Sequence, residues 1–240
     1  MSKKKDILEI KKLSKDFKSK KVLKNFDFTI KEGEIFGLIG VNGIGKTTLI
    51  KIILDLLRAD KGAVNIFGVD STNKESRKNI SYLPEKFQPS SYLKGKEFLS
   101  LSMGYFNKEY NHKKALYYAK NLDLDKNALD NKVTKYSKGM GQKLGLISMF
   151  LSGAPLLILD EPMSGLDPHV RIKLKDLLRA YAAEGNTVFF SSHILSDIDE
   201  ICDRIGVIHK GSLNFLGTAK QFKNKYKADS LERAFLKVIS

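Results

Sequence analysis

Residues Gly40-Val41-Asn42-Gly43-Ile44-Gly45-Lys46-Thr47-Thr48 satisfy the pattern G-x-x-x-x-G-K-[ST]. Glycines at that spacing let backbone N–H groups converge on phosphate oxygens. A following helix presents its positive dipole end to the same anion. Lys46 is then placed to reach the β- and γ-phosphates of a nucleotide and Thr47 to put its hydroxyl on Mg²⁺, with Thr48 as a further phosphate contact. Downstream, the apolar run Leu-Leu-Ile-Leu ends in two carboxylates, Asp160 and Glu161. The end of a buried strand is a rigid mount. There Asp160 suits Mg²⁺ and Glu161 suits the attacking water. His193 ends another apolar run, Thr-Val-Phe-Phe-Ser-Ser, where its imidazole can meet the γ-phosphate and hold the water. His112, His169 and His209 read as structural. The combined chemistry is binding and hydrolysis of a nucleoside triphosphate. No His or Cys spacing suits another metal, so Mg²⁺ is the metal implied.

These groups need strand, loop and helix in a set order. Residues 5–39 read as β-rich, with Ile7, Leu8, Ile10, Phe26, Phe28 and Ile30 alternating or clustering as strands do. Glu-Ile-Phe-Gly-Leu-Ile-Gly is a short apolar strand entering the glycine loop. Leu49, Ile52, Ile53, Leu56 and Leu57 then have helical spacing. Residues 62–83 return to short strands and turns. About 88–150 is rich in Leu, Tyr, Lys and Ala and reads as several helices. The segment before Asp160 and the one before His193 read as buried parallel strands with a helix between them. A closing hairpin is expected around Lys210-Gly211, and the tail 218–240 has helical periodicity. The expectation is one α/β domain over 1–240 with a helical insertion near 88–150.

The bulk properties bound the alternatives. A chain of 240 residues supports one large domain without staples. Its single cysteine, Cys202, excludes an internal disulfide, and cytosolic placement follows as the default. The first residues hold no apolar stretch of signal-peptide length. The longest charge-free run, Leu144 to Leu159, is too short to cross a bilayer and is broken by Gly153 and Pro155. The formal charge is +15, from 42 basic and 27 acidic residues. That charge could favour nucleic acid or an anionic membrane face. No basic amphipathic helix or RNA-binding signature accompanies it, so lysines scattered over solvated faces are the expectation, with no nucleic-acid partner.

Tyr136-Ser137-Lys138-Gly139-Met140 lies between the phosphate loop and the acidic pair, and Ser164-Gly165-Leu166-Asp167 follows that pair. With these segments the chain resembles, over nearly its whole length, the nucleotide-binding subunit of ATP-binding-cassette (ABC) transporters. The resemblance implies a P-loop core, an N-terminal antiparallel β subdomain and an inserted helical subdomain. It implies ATP and Mg²⁺ clamped between two copies, with Gly40, Asn42, Gly43, Gly45, Lys46, Thr47 and Thr48 of one copy on the nucleotide and Ser137 and Gly139 acting from the other. The commonest family form of that segment is LSGGQ; Ser137 and Gly139 keep it, whereas Lys138 and Met140 depart from it, as in a branch of exporters. Phe17 matches the aromatic residue that stacks on adenine. Glu85 stands where most relatives have the glutamine that links the active site to the membrane partner, with Gln88 as a substitute. By resemblance the metal residues are Thr47, Asp160 and Glu85, and the catalytic ones Glu161, His193 and Lys46. The resemblance also implies a separate transmembrane permease, a homodimer, a peripheral location at the cytoplasmic face of the membrane, and export. The rival reading is a soluble ABC-type ATPase with a cytosolic assembly or nucleic-acid partner.

Overall fold

Alternation of apolar and polar residues builds the first layer. The computed structural model describes residues 4–18 and 20–239. Strands β1 (Asp6–Phe17) and β2 (Lys20–Lys31) pair antiparallel and bury one face, with Leu23, Phe26, Phe28 and Ile30 inward along β2. Strand β3 (Ile35–Ile39) is buried at every residue and leads into the glycine loop and helix α1 (Lys46–Ile53). Next come β4 (Lys61–Ile66), β5 (Val69–Asp70) and β6 (Ile80–Leu83). The helices α2 (Gly95–Tyr105), α3 (His112–Asn121) and α4 (Lys138–Ser152) follow. The chain then alternates through β7 (Leu156–Asp160), α5 (Pro168–Ala183), β8 (Thr187–Ser192), α6 (Leu195–Ile201) and β9 (Arg204–His209). It closes with β10 (Ser212–Gly217), α7 (Ala219–Lys225) and α8 (Leu231–Ile239).

Two sheets result. One is four-stranded and antiparallel, in the order β2-β1-β4-β5. The other runs β10-β9-β3-β8-β7-β6 and is parallel except for β10. The middle strands β3, β7 and β8 are buried on both faces, and their side chains divide between two cores. Ile39, Leu157, Leu159, Val188 and Phe190 face the core shared with α4, α5 and the helical segment. Phe36, Leu38, Leu156, Ile158 and Phe189 face the core shared with α1 and the antiparallel sheet. The period of two that sorts these residues also aims the C-terminal ends of β3, β7 and β8 at one edge. That edge is where open α/β sheets bind ligands.

Helix α1 is shorter than its apolar spacing predicts. Asp55 takes a left-handed φ of 55°, and Leu56 N–H donates back to Lys51 C=O at 2.8 Å. This left-handed closure ends the helix and leaves Leu56 65% exposed, outside the core that spacing alone would assign it to. The hairpin expected at Lys210-Gly211 is present, with both residues at positive φ, as a two-residue turn of matching twist requires. Among the described residues no helix is long and apolar enough to cross a membrane.

Candidate active site

The glycine loop wraps the start of α1. Gly45 has φ 120°, and a side chain there would stand 3.0 Å from Val22 and 3.1 Å from Leu23, so both backbone angle and space require glycine. Lys46 is only 6% exposed and donates to Gly40 C=O at 2.7 Å, so the lysine folds back across its own loop. One turn of backbone thus holds the ammonium group where β- and γ-phosphates would lie.

Strand β7 delivers the acidic pair. Asp160 is 1% exposed, and both its oxygens are engaged. Oδ2 accepts from Thr47 Oγ1 at 2.7 Å, and Oδ1 accepts from Ser191 Oγ at 2.5 Å. Ser191 lies opposite Asp160 in the parallel register of β7 and β8. The same serine hydroxyl accepts from Glu161 N–H at 3.2 Å, and that N–H also reaches Ser191 C=O at 3.1 Å. Sequence reasoning missed Ser191. Its only trace is that it is one of two serines closing a strand whose middle is apolar.

Glu161 sits in the left-handed region at φ 53°, a conformation that costs a non-glycine residue about 1–3 kcal/mol. The bend turns its carboxylate back over the site. Oε2 accepts from the His193 backbone N–H at 3.2 Å and lies 2.8 Å from His193 Nδ1. An ionised carboxylate can only accept, so Nδ1 carries the proton and Nε2 has no partner among the described residues. Oε1 is buried 3.1 Å from Lys46 Nζ, close enough for an ion pair but without hydrogen-bond alignment. A buried carboxylate oxygen left without a hydrogen bond asks for a further partner, and water is the simplest.

Asn42, Gly43, Gly45, Lys46, Thr47, Thr48, Glu85, Asp160 and Glu161 line one cleft of about 250 Å³. Several of the expected residues lie outside it. Phe17 is 45% exposed near the tip of the β1–β2 hairpin, whose Val22 packs on Gly45. His193, whose side chain is 47% exposed, meets Glu161 Oε2 without lining the cleft. Ser137 and Gln88, with Glu85, line a separate groove of about 660 Å³ beside α4. Ser137 caps α4, its hydroxyl accepting from Met140 N–H at 3.2 Å. A side chain on Gly139 would stand 3.2 Å from Gly165 C=O, so the start of α4 rests on the segment after Glu161. Gln142 Nε2, which sequence reasoning did not single out, adds a bond to Pro162 C=O at 3.3 Å.

The residues fit Mg²⁺ and a polyphosphate. The oxygen donors of Thr47 and Asp160 suit a hard cation that takes its remaining ligands from water and phosphate. Gly43 has open space where a side chain would stand, and Glu161 Oε1 lacks a hydrogen bond.

Residues 23–164 match the family model described as ABC transporter. The chain is 36% identical over 194 residues to an uncharacterized ABC transporter ATP-binding protein of Synechocystis sp., covering 80% of this chain and 55% of that protein. It therefore spans little more than half the length of that relative. It is 32% identical over 208 residues to the Nod factor export ATP-binding protein I of Burkholderia orbicola, covering 85% of this chain and 68% of that protein. A solved ATP-binding subunit of an ABC transporter superposes with a TM-score of 0.89 at 29% identity, covering 97% of this chain and 99% of that one. The chain belongs to the ABC transporter family, among its ATP-binding proteins.

Proposed function

We propose that this chain binds and hydrolyses ATP to power transport, in the export direction, through a separate transmembrane permease. The observation that carries the hydrolytic reading is the Glu161 carboxylate. It lies between Lys46 and His193, beside the Thr47–Asp160 pair, in the lining of a cleft of about 250 Å³. Lys46 transfers its hydrogen bond from Gly40 C=O to the β- and γ-phosphates. Thr47 and Asp160 hold Mg²⁺, with Glu85 at the rim of the same cleft. When bound, Mg²⁺ neutralises charge on the phosphates. Glu161 Oε1 orients the attacking water and takes its proton, while His193 Nδ1–H fixes the other oxygen. A γ-phosphate oxygen only accepts, so its contact with His193 Nε2 takes the doubly protonated imidazolium, while Phe17 remains available to the adenine ring.

Ser137 and Gly139 act on the nucleotide of a second copy, because they lie outside the cleft of their own chain. The working unit is a homodimer with two ATP between its halves. The Gln88 side of the groove beside α4 receives the permease, which holds the chain at the cytoplasmic face of the membrane, and the Ser137 side is left to the second copy. Transport is supported by family membership, and export by the Nod factor export relative. The test is phosphate release from Mg·ATP by the purified chain, followed by recovery of Glu161→Gln protein from solubilised native membranes in ATP. Absence of phosphate release sinks the hydrolytic reading. Hydrolysis with only soluble partners recovered sinks the transport reading.

A further inference from the structure

Among the described residues two buried side-chain atoms lack a hydrogen-bond partner, Glu161 Oε1 and Arg171 Nε. The first lies in the site. The second belongs to a charge cluster between α5 and α6 that the reading above leaves unused. Arg171 Nη2 donates to Asp197 Oδ2 at 2.5 Å. Lys175 Nζ stands 3.6 Å from Asp197 Oδ1 and also pairs with Glu200, which Arg179 meets at 3.1 Å. Asp197 is 3% exposed, so its charge is withdrawn from water.

A buried ion pair is a poor source of stability, because desolvation offsets most of the attraction. A charge-assisted contact does hold its two partners at a fixed separation. Here that separation bears on His193. Helix α6 has seven residues and no side-chain cap at Ile194, so it holds its place through contacts rather than through its own hydrogen bonds. Asp197 is in its first turn. Between Asp197 and His193 lies a short link braced by Ile194 N–H on Ser192 Oγ at 3.0 Å. The position of Asp197 thus bears, through four residues of backbone, on the residue that carries the imidazole. Arg171 is one turn into α5, its N–H on Asp167 C=O at 3.0 Å, and Asp167 closes the Ser164–Asp167 segment that touches the start of α4.

We propose that Arg171 and Asp197 are positioning residues that hold His193 on Glu161 and tie that contact to the Ser164–Asp167 segment. This rests on the reading of Glu161 and His193 given above. The Nδ1–Oε2 contact is 2.8 Å, and a displacement of about 1 Å breaks a hydrogen bond of that length.

The test is steady-state ATP turnover by the purified chain with Mg·ATP. Asp197→Asn and Arg171→Met each lower kcat by about tenfold, within the range a 1 Å misplacement produces. KM moves by less than about twofold, since no nucleotide contact is lost. Arg171→Lys, which keeps the charge, recovers most of the rate. Asp197→Asn adds nothing to His193→Ala, because both remove the same contact. Lys223→Met breaks the 2.8 Å pair to Asp199 on the same α6 and leaves kcat unchanged. If Asp197→Asn fails to fold, the two Arg171 variants, matched by thermal melting, carry the test. Full kcat in Arg171→Met overturns the proposal. So does a multiplicative loss in the double variant, or an equal loss in Lys223→Met. A slow His193→Ala beside a fast Asp197→Asn overturns this inference alone; a fast His193→Ala overturns it together with the reading of the site.

Discussion

In the proposed reaction Glu161 takes the proton of the attacking water, and its backbone shows a cost. A strained φ of 53° aims a carboxylate into a cleft where one oxygen is held by His193 and the other has no hydrogen bond. Glu161→Gln keeps the shape but removes the proton acceptor. Turnover is expected to fall by about a hundred- to ten-thousandfold, the usual worth of a general base, with nucleotide affinity retained. Phosphate release beside binding of a fluorescent ATP analogue checks both halves; near-normal turnover removes Glu161 from the base role. Ser191 carries a different prediction. It bonds Asp160 and braces the Glu161 N–H without lining the cleft. Ser191→Ala is expected to raise the Mg²⁺ concentration for half-maximal turnover by about ten- to a hundredfold, as loss of a partner behind a metal ligand does. An unchanged Mg²⁺ titration would make Ser191 a packing residue only. Lys46, Thr47, Asp160 and Glu161 were legible in the sequence because each sits in a short local pattern. Ser191 was not, because its relation to Asp160 exists only in the register of β7 and β8, 31 residues apart.

Helix α4 shows the same contrast at the next scale. Its end was legible in Gly153 and Pro155, which break the apolar run after Leu144. What was not legible is Gly145 in mid-helix. A side chain there would stand 2.6 Å from Leu83 and 2.8 Å from Phe87, so glycine lets α4 close on the end of β6 and the loop carrying Glu85. Local spacing cannot show such an approach, and the same blindness let Leu56 pass for a core residue. At the start of α4, capping and ligand contact can be separated. Aspartate caps a helix as well as serine does and suits its positive end. Ser137→Asp should therefore keep the melting temperature within a few degrees. It should nevertheless abolish ATP-driven association, since a carboxylate would meet phosphates. Normal association in that variant removes Ser137 from the interface. Alkali tests the ties around this helix. Burial, then the Asp160 and Glu85 charges, pushes the Tyr82 phenol up to about 12. Burial, then Asp130, pushes Tyr136 up to about 12. Burial likewise raises Tyr181, whose hydroxyl donates to Ala154 C=O at 2.7 Å. The unfolded chain ionises first, near the ordinary value of 10, so the stability these phenols contribute is complete below that pH. It is lost as pH rises from about 10 to about 12. Melting temperatures across that window check the sign; a flat profile contradicts it.

For the whole molecule the decisive fact is that one copy does not bring its two halves of the proposed site together. The phosphate cleft is lined by the glycine loop, Glu85 and the acidic pair, while Ser137 opens onto the groove on the other side of Glu85. A helix N-terminus carrying small residues suits an anion, and in the proposed two-copy arrangement the nucleotide of the second copy is that anion. Charge opposes that pairing when nucleotide is absent. Each copy carries a formal +15, and like charges of that size repel at low ionic strength. Two triphosphates at the interface neutralise part of it where the copies come closest. The chain is therefore expected to sediment as a monomer without nucleotide. Glu161→Gln in Mg·ATP should sediment as a dimer, because binding is retained and the product state is not reached. Mixing tests the shared site directly. Glu161→Gln/Lys46→Ala cannot hold ATP firmly but keeps its Ser137, and Glu161→Gln/Ser137→Asp holds ATP but offers no productive α4 start. Each alone should remain monomeric in Mg·ATP. Together they keep one intact half-site, with the first variant's Ser137 facing the second variant's ATP, and association should return in part. Sedimentation of each variant and of the mixture reads the result. Strong self-association of the Ser137→Asp variant would mean that α4 does not complete the partner's site, and the two-copy reading would fall while the chemistry of Glu161 stood.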